Sequence, residues 1–154
     1  MALSNTSEIE TSAPQYLRGK YAICGIGETT YRRGSDQSTR SLASWAVGNA
    51  IADAGMTAAD VDGMLSYSNN DSTFAPHVAT DLGMRLNFYT DIYGGGSSTE
   101  CLIGIAIGVI EAGMCNTIAI YRAMNGYSQV RIGGTGARSA APIVGDQIHH
   151  RAYG

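Results

Sequence analysis

The sequence predicts an α/β protein in which helices cover a parallel or mixed sheet. Two observations carry this reading. Short apolar runs alternate along the chain with helical patterns closed by glycine, and one helix, from Cys101 to Ile110, is apolar on nearly every side. Strands that alternate with crossover helices belong to sheets buried on both faces, and a helix apolar all round belongs between layers. With 154 residues the chain can form one domain, burying roughly 70% of its unfolded surface. A composition of 44% hydrophobic and 15% charged residues excludes the signature of a disordered chain.

The elements follow in order. Residues 1–15 carry no periodicity and read as a flexible arm. The run Tyr21 to Cys24, ending in glycines, reads as a first buried strand feeding a loop. Ser38 can cap a helix with Leu42, Trp45, Ala46, Ala50 and Ile51 on its inward face and Gly55 as its stop. Thr57 begins one further turn of helix, and Gly63 to Tyr67 is a second strand. "FAPHVATDLGM" is a short helix closed by Gly83, "NFYTDIY" a third strand, and Ser97 to Ala112 a long helix. Ser97 and Glu100 have capping-box spacing at its start, and Gly113 closes it. "NTIAIYRAM" is the fourth strand. Gly104 and Gly108 would admit a neighbouring backbone close to the long helix, at a cost of about 1 kcal/mol each in helix propensity. The organisation expected is an arm over 1–15, an α/β unit over 16–124, and the start of a loop region over 125–154, where periodicity fades.

A net charge of −3 with scattered arginines gives no electrostatic footprint for nucleic acid. The polar N-terminus lacks a secretory core, and the longest apolar run is well short of the ~20 residues that span a bilayer. A cytoplasmic protein is the expectation. Cys24, Cys101 and Cys115 lie in apolar segments without metal-ligand spacing, and read as buried free thiols. Lys20 is the only lysine. "GGTGAR" at Gly133 to Arg138 therefore lacks the lysine of a phosphate-binding Walker loop, and a Schiff-base mechanism is nearly excluded.

Candidate sites are few. "GIGETT" from Gly25 starts like a dinucleotide fingerprint, but Thr30 holds the third glycine position and no helix follows at once. Gly95-Gly96-Ser97 approaches a nucleophile elbow, but Thr99 stands where the last glycine is needed. Asp146, His149 and His150 could offer metal ligands, yet adjacent histidines diverge on any regular element and His77 has no obvious companion; a loop is the better reading, and no metal is expected. There remain Gly94, Gly95, Gly96, Ser97 and Ser98. Backbone N–H groups at the start of a buried helix suit a carboxylate, phosphate or thioester oxygen, and the same residues equally suit a tight turn.

Three stretches, "CGIGETTY", "SLASWAVGNAIADAGMTAADVDGML" and "YGGGSSTECLIGIAIGVIEAG", resemble the thiolase superfamily, and within it the sterol-carrier-protein-type thiolases and lipid-transfer-like steroid side-chain aldolases. The resemblance implies a thiolase-like α-β-α layered fold, of which this sequence corresponds to the N-terminal half and the start of the loop region. Thiolases keep a reactive cysteine at the N-terminus of the buried helix. That position falls on Gly95, and Cys101 lies about a turn and a half further on, on the expected buried face. Loss of the nucleophile beside a retained glycine turn resembles the aldolase branch, which cleaves a carbon–carbon bond of a β-hydroxy acyl-CoA thioester and needs a base and a stabilised enolate but no covalent intermediate.

The resemblance further implies substrate contact at Gly94 to Ser98, coenzyme A as part of the substrate, and no other cofactor. It implies a homodimer through the strand near Asn87 to Tyr93 and a small acyl-CoA-binding partner of zinc-ribbon and OB-fold type. The family is more than twice as long, so a truncated chain or one subunit of a split enzyme, inactive alone, is expected. Two alternatives stay open: a noncatalytic acyl-CoA or lipid-binding module, and a cysteine-dependent thiolase that uses Cys101.

Overall fold

The computed structural model describes residues 15–68, 72–94 and 96–126. Three helices, α1 (Thr39–Asp53), α2 (Ala75–Asp81) and α3 (Ser98–Glu111), alternate with three strands, β1 (Gly63–Ser68), β2 (Phe88–Tyr93) and β3 (Ile118–Tyr121). The sheet is parallel throughout in the order β2-β1-β3, with Gly63 beside both Phe88 and Ile118. Successive residues of β1 point to opposite faces. Met64 joins Ala43, Val47, Ala75, Val78 and Ala79 in a core under α1 and α2, whereas Leu65 packs with Leu102 and Ala106 under α3. This is the layered α-β-α arrangement the alternation predicts.

Local chemistry sets the helix ends. The Ser38 hydroxyl accepts the Ser41 amide at 3.0 Å, capping α1 as expected. All three helices close in one way: Gly55, Gly83 and Gly113 have positive φ, and the amides of Met56, Met84 and Met114 reach back to Ile51, Ala79 and Val109. These are Schellman closures, in which glycine takes the left-handed conformation without steric cost. The recurring Gly-Met pair in the sequence is their signature.

The amino ends of the strands meet at Asp62. Its carboxylate accepts the amides of Asn116 and Thr117 at 2.8 and 3.0 Å and the side-chain amides of Asn87 and Asn116, both at 3.2 Å. Its carbonyl accepts the Asn87 amide at 2.7 Å. Desolvation pushes its pKa up, but the bonds from Thr117 and Asn116 outweigh that and hold it below the ordinary carboxylate range.

Four expectations require correction. Tyr21 to Cys24 forms no strand of the sheet. The following glycines press against α1 instead: a Cβ at Gly25 would stand 2.2 Å from the Ala50 carbonyl oxygen, and one at Gly27 2.1 Å from that of Ala46. Side chains of α1 also take the segment's backbone groups, Asp53 accepting from the Ile26 amide and Asn49 donating to the Glu28 carbonyl, both at 2.9 Å. A groove of about 280 Å³ is left between this segment, α1 and β3. Trp45, expected inward, is 53% exposed; the core face of α1 runs through Ala43 and Val47, on the opposite side of the helix from Trp45.

The third correction concerns α3, which the described residues do not enclose. Leu102, Ala106 and Val109 are buried, but Ile103 is 47% exposed, and a Cβ at Gly104 or Gly108 would meet nothing within 4 Å among the described residues. Three strands offer it one face only. The fourth concerns the cysteines: Cys115 alone is buried, while Cys24 and Cys101 are exposed. Cys24 leaves with the unpaired segment, and Cys101 stands on the open side of α3.

Candidate active site at the carboxyl end of the sheet

In an open parallel sheet, ligands bind beyond the carboxyl ends of the strands, and here those ends carry most of the buried polar groups. β1 contributes Ser66, fully buried, directly beside Asp91 of β2. The Ser66 hydroxyl donates to the Asp91 carboxylate, and the same oxygen accepts the Ala75 amide at 2.9 Å. Because Phe74, the residue before α2, has no capping side chain, Asp91 supplies the cap from a neighbouring strand.

The connection from β1 into α2 is held to β3 as well. Tyr121 donates its hydroxyl to the Thr73 carbonyl at 2.7 Å. Arg122 donates to the Ser72 hydroxyl and, at 2.8 Å, to the Ala123 carbonyl, with its guanidinium 4.8 Å from the centre of the Tyr67 ring. Residues 72–75 thus form a strap across the end of the sheet, bound to β2 through Ala75 and to β3 through Ser72 and Thr73. None of these groups was singled out from sequence. The available signal was a polar residue closing each apolar strand run: Ser66 in "MLSYS", Asp91 in "YTDIY", Arg122 after "IAIY".

Beside the strap, β2 runs into the glycine turn. A Cβ on Gly94 would lie 2.3 Å from the Ser98 hydroxyl, whereas one on Gly96 would meet nothing within 4 Å among the described residues. The turn is therefore tight at its entry. Gly95 lies outside the described residues. Ser97 is already helical (φ −68, ψ −8) and makes no side-chain capping bond, so the expected capping box does not form: a cap must be extended for its oxygen to reach the next turn's amides. The positive end of α3 opens at this turn. The structure brings Gly94, Gly96, Ser97 and Ser98 together at the carboxyl end of the sheet.

Other sequence candidates stand apart from it. His77 lies on α2 with its ring edge-on to Phe74, 6.2 Å between centroids. Asp146, His149, His150 and the stretch 133–138 lie outside the described residues. Among the described residues, no group of three or more His, Cys, Asp or Glu could hold a metal ion, and no helix is long and apolar enough to cross a membrane. Cys101 is the fourth residue of α3, exposed and beyond the turn.

No known protein-family model matches the chain. Individual proteins do. The chain is 38% identical over 123 residues to a "Steroid side-chain-cleaving aldolase" of Thermomonospora curvata, covering 76% of this chain and 30% of that protein. It is 35% identical over 118 residues to "17-hydroxy-3-oxo-4-pregnene-20-carboxyl-CoA lyase" of Mycobacterium tuberculosis, with the same coverage. Among solved structures, an "Ltp2-ChsH2(DUF35) aldolase" superposes with TM-score 0.66 at 34% identity, over 74% of this chain and 30% of that one. A monomeric SCP2-thiolase-like protein of Mycobacterium smegmatis follows with TM-score 0.57 at 27% identity, over 75% of this chain and 26% of that one.

The chain has a thiolase-like fold and is similar over about three quarters of its length to members of the thiolase superfamily. Its relatives place it in the branch of sterol-carrier-protein-type thiolases and steroid side-chain aldolases, as the three sequence stretches indicated. It spans about 30% of the length of the curated relatives it matches. Within this thiolase-like fold, the strand–glycine turn–helix unit of β2 and α3 bears no cysteine between Asp91 and Glu100.

Proposed function

We propose that this chain supplies part of the site of a carbon–carbon lyase acting on a β-hydroxy acyl-CoA thioester of the steroid side-chain type named in its relatives. The observation that carries the reading is the glycine turn at the positive end of α3, which the sequence resemblance aligns with the thiolase nucleophile and which bears no thiol. In such a reaction a base removes the hydroxyl proton, the bond between the α and β carbons breaks, and its electron pair passes into the thioester as an enolate. Protonation of the α carbon then releases a shortened thioester and a carbonyl compound. The thioester is the electron sink, so neither a cysteine nor a Schiff-base lysine is called for. Amides of Gly94 to Ser98 would face the enolate oxygen, the point where charge develops, and the base would come from elsewhere in the assembled protein.

Assembly is part of the proposal. Among the described residues β2 is an edge strand, with Tyr89 54% and Tyr93 79% exposed, which supports pairing with a second copy along Asn87 to Tyr93. The aldolase structure named for two components supports a partner protein, and the sequence resemblance suggests that it is a small acyl-CoA-binding protein of zinc-ribbon and OB-fold type and that both work in the cytoplasm. The test is to incubate the full-length protein, with its partner, with a β-hydroxy steroid acyl-CoA and to identify products by mass spectrometry. A shortened acyl-CoA, lost when Gly95→Phe fills the turn, is the expected result. Binding without turnover would show a noncatalytic acyl-CoA module instead. Acyl transfer abolished by alkylation of Cys101, which is exposed, would establish the cysteine-dependent reading.

A further inference from the structure

The end of β2 is anchored on its two faces by different means. On the α3 face Phe88 and Ile92 pack against the Leu65, Leu102 and Ala106 cluster. On the α2 face Asp91 is held by the Ser66 hydroxyl and the Ala75 amide, while Tyr89 and Tyr93 on the same face are largely exposed. Asp91 is thus the last fixed group on that face before Gly94 enters the turn. Ser66 is fully buried, so the bond that locates Asp91 is shielded from water and has little freedom to shift.

We propose that Asp91 is a positioning residue for the glycine turn: by clamping β2 to β1 and to the start of α2, it sets where the amides of Gly94, Gly96, Ser97 and Ser98 point. This rests on the reading of that turn as the thioester site. It acts through backbone placement, with no contact to the reacting atoms. Donors of this kind act on charge that develops in the transition state, so a shift of the turn weakens turnover far more than substrate binding.

The experiment uses the full-length protein in its assembled form. Asp91→Glu keeps the carboxylate but displaces it by one methylene, and should lower kcat by about 10- to 100-fold, as an ångström-scale misplacement does, with KM within about 2-fold. Asp91→Asn keeps an oxygen acceptor in place and should recover most of that loss. Hydrogen exchange at Cys101, whose amide bonds back to the Ser97 carbonyl at the turn, should quicken by about 10-fold in Asp91→Glu and stay near wild type in Asp91→Asn, an order of magnitude consistent with losing one bond.

A kcat for Asp91→Glu equal to wild type, or a fall in kcat matched by a rise in KM, would overturn the assignment. If the unsubstituted assembly cleaves nothing, the functional reading fails by itself. Exchange at the turn then still decides the positioning claim: unchanged rates in Asp91→Glu would refute it.

Discussion

The two ends of the sheet each rest on one aspartate, and the difference between them separates architecture from chemistry. At the amino end, Asp62 gathers the starts of all three strands, receiving Asn116, Thr117 and Asn87 through five bonds to its carboxylate and carbonyl. Every group it binds belongs to the sheet or its approaches, and that end is sealed. At the carboxyl end Asp91 holds one hydroxyl and one helix amide, and three residues later the chain enters a glycine turn where, among the described residues, nothing stands within 4 Å of a Cβ on Gly96. In a parallel sheet closed at its amino end, the carboxyl end is where ligands bind.

The largest expected effect lies at the sealed end. Asp62→Ala strips acceptors from two backbone amides and should destabilise the fold by about 2–4 kcal/mol, since several partners are orphaned together; urea unfolding measures it. Loss below about 0.5 kcal/mol would show that the end is not held by Asp62. The same residue gives a pH dependence. Its folded pKa lies below the unfolded value of about 3.9, so its contribution is fully present above pH 4 and disappears as pH falls through the folded value. Asp62→Asn should flatten that acid limb.

Next comes Asp91→Ala, expected to cost about 1–3 kcal/mol through the orphaned Ser66 hydroxyl and Ala75 amide, with Asp91→Asn costing under half as much. An equal loss in both would mean that the charge matters rather than the acceptor. Tyr121→Phe removes the bond to the Thr73 carbonyl and should cost about 1 kcal/mol, read as a shift in the unfolding midpoint. The smallest effect is expected for Arg40→Met. Its pair with Asp81 links α1 to α2 away from both ends and is partly exposed, so screening leaves about 0–1 kcal/mol. A larger loss would place real stability between the helices and blunt the contrast between the sheet's ends.

Most of the architecture was legible because its signals are local. Ser38 before α1, the glycines at 55, 83 and 113, and the apolar runs that became β1, β2 and β3 each depend on neighbours a few residues away. What misled were features decided at long range. The Tyr21 to Cys24 run has the composition of a strand, but Gly25 and Gly27 dock on α1. Trp45 lies on the side of α1 opposite the core face of Ala43 and Val47. α3 has the pattern of a helix enclosed on all sides, and residues 15–126 supply one layer against it. The polar groups of the site were hidden for the same reason: Ser66, Asp91, Thr73 and Tyr121 are distant in sequence, and only the parallel register brings them together.

The contrast between the ends is tested most directly by hydrogen exchange of the full-length assembly, with and without a β-hydroxy steroid acyl-CoA. The account predicts protection on binding at Gly96 to Ser98 and in the strap from Ser72 to Ala75, with no change at Asp62, Asn116 or Thr117. Protection at the amino end, with the glycine turn unaffected, would contradict it.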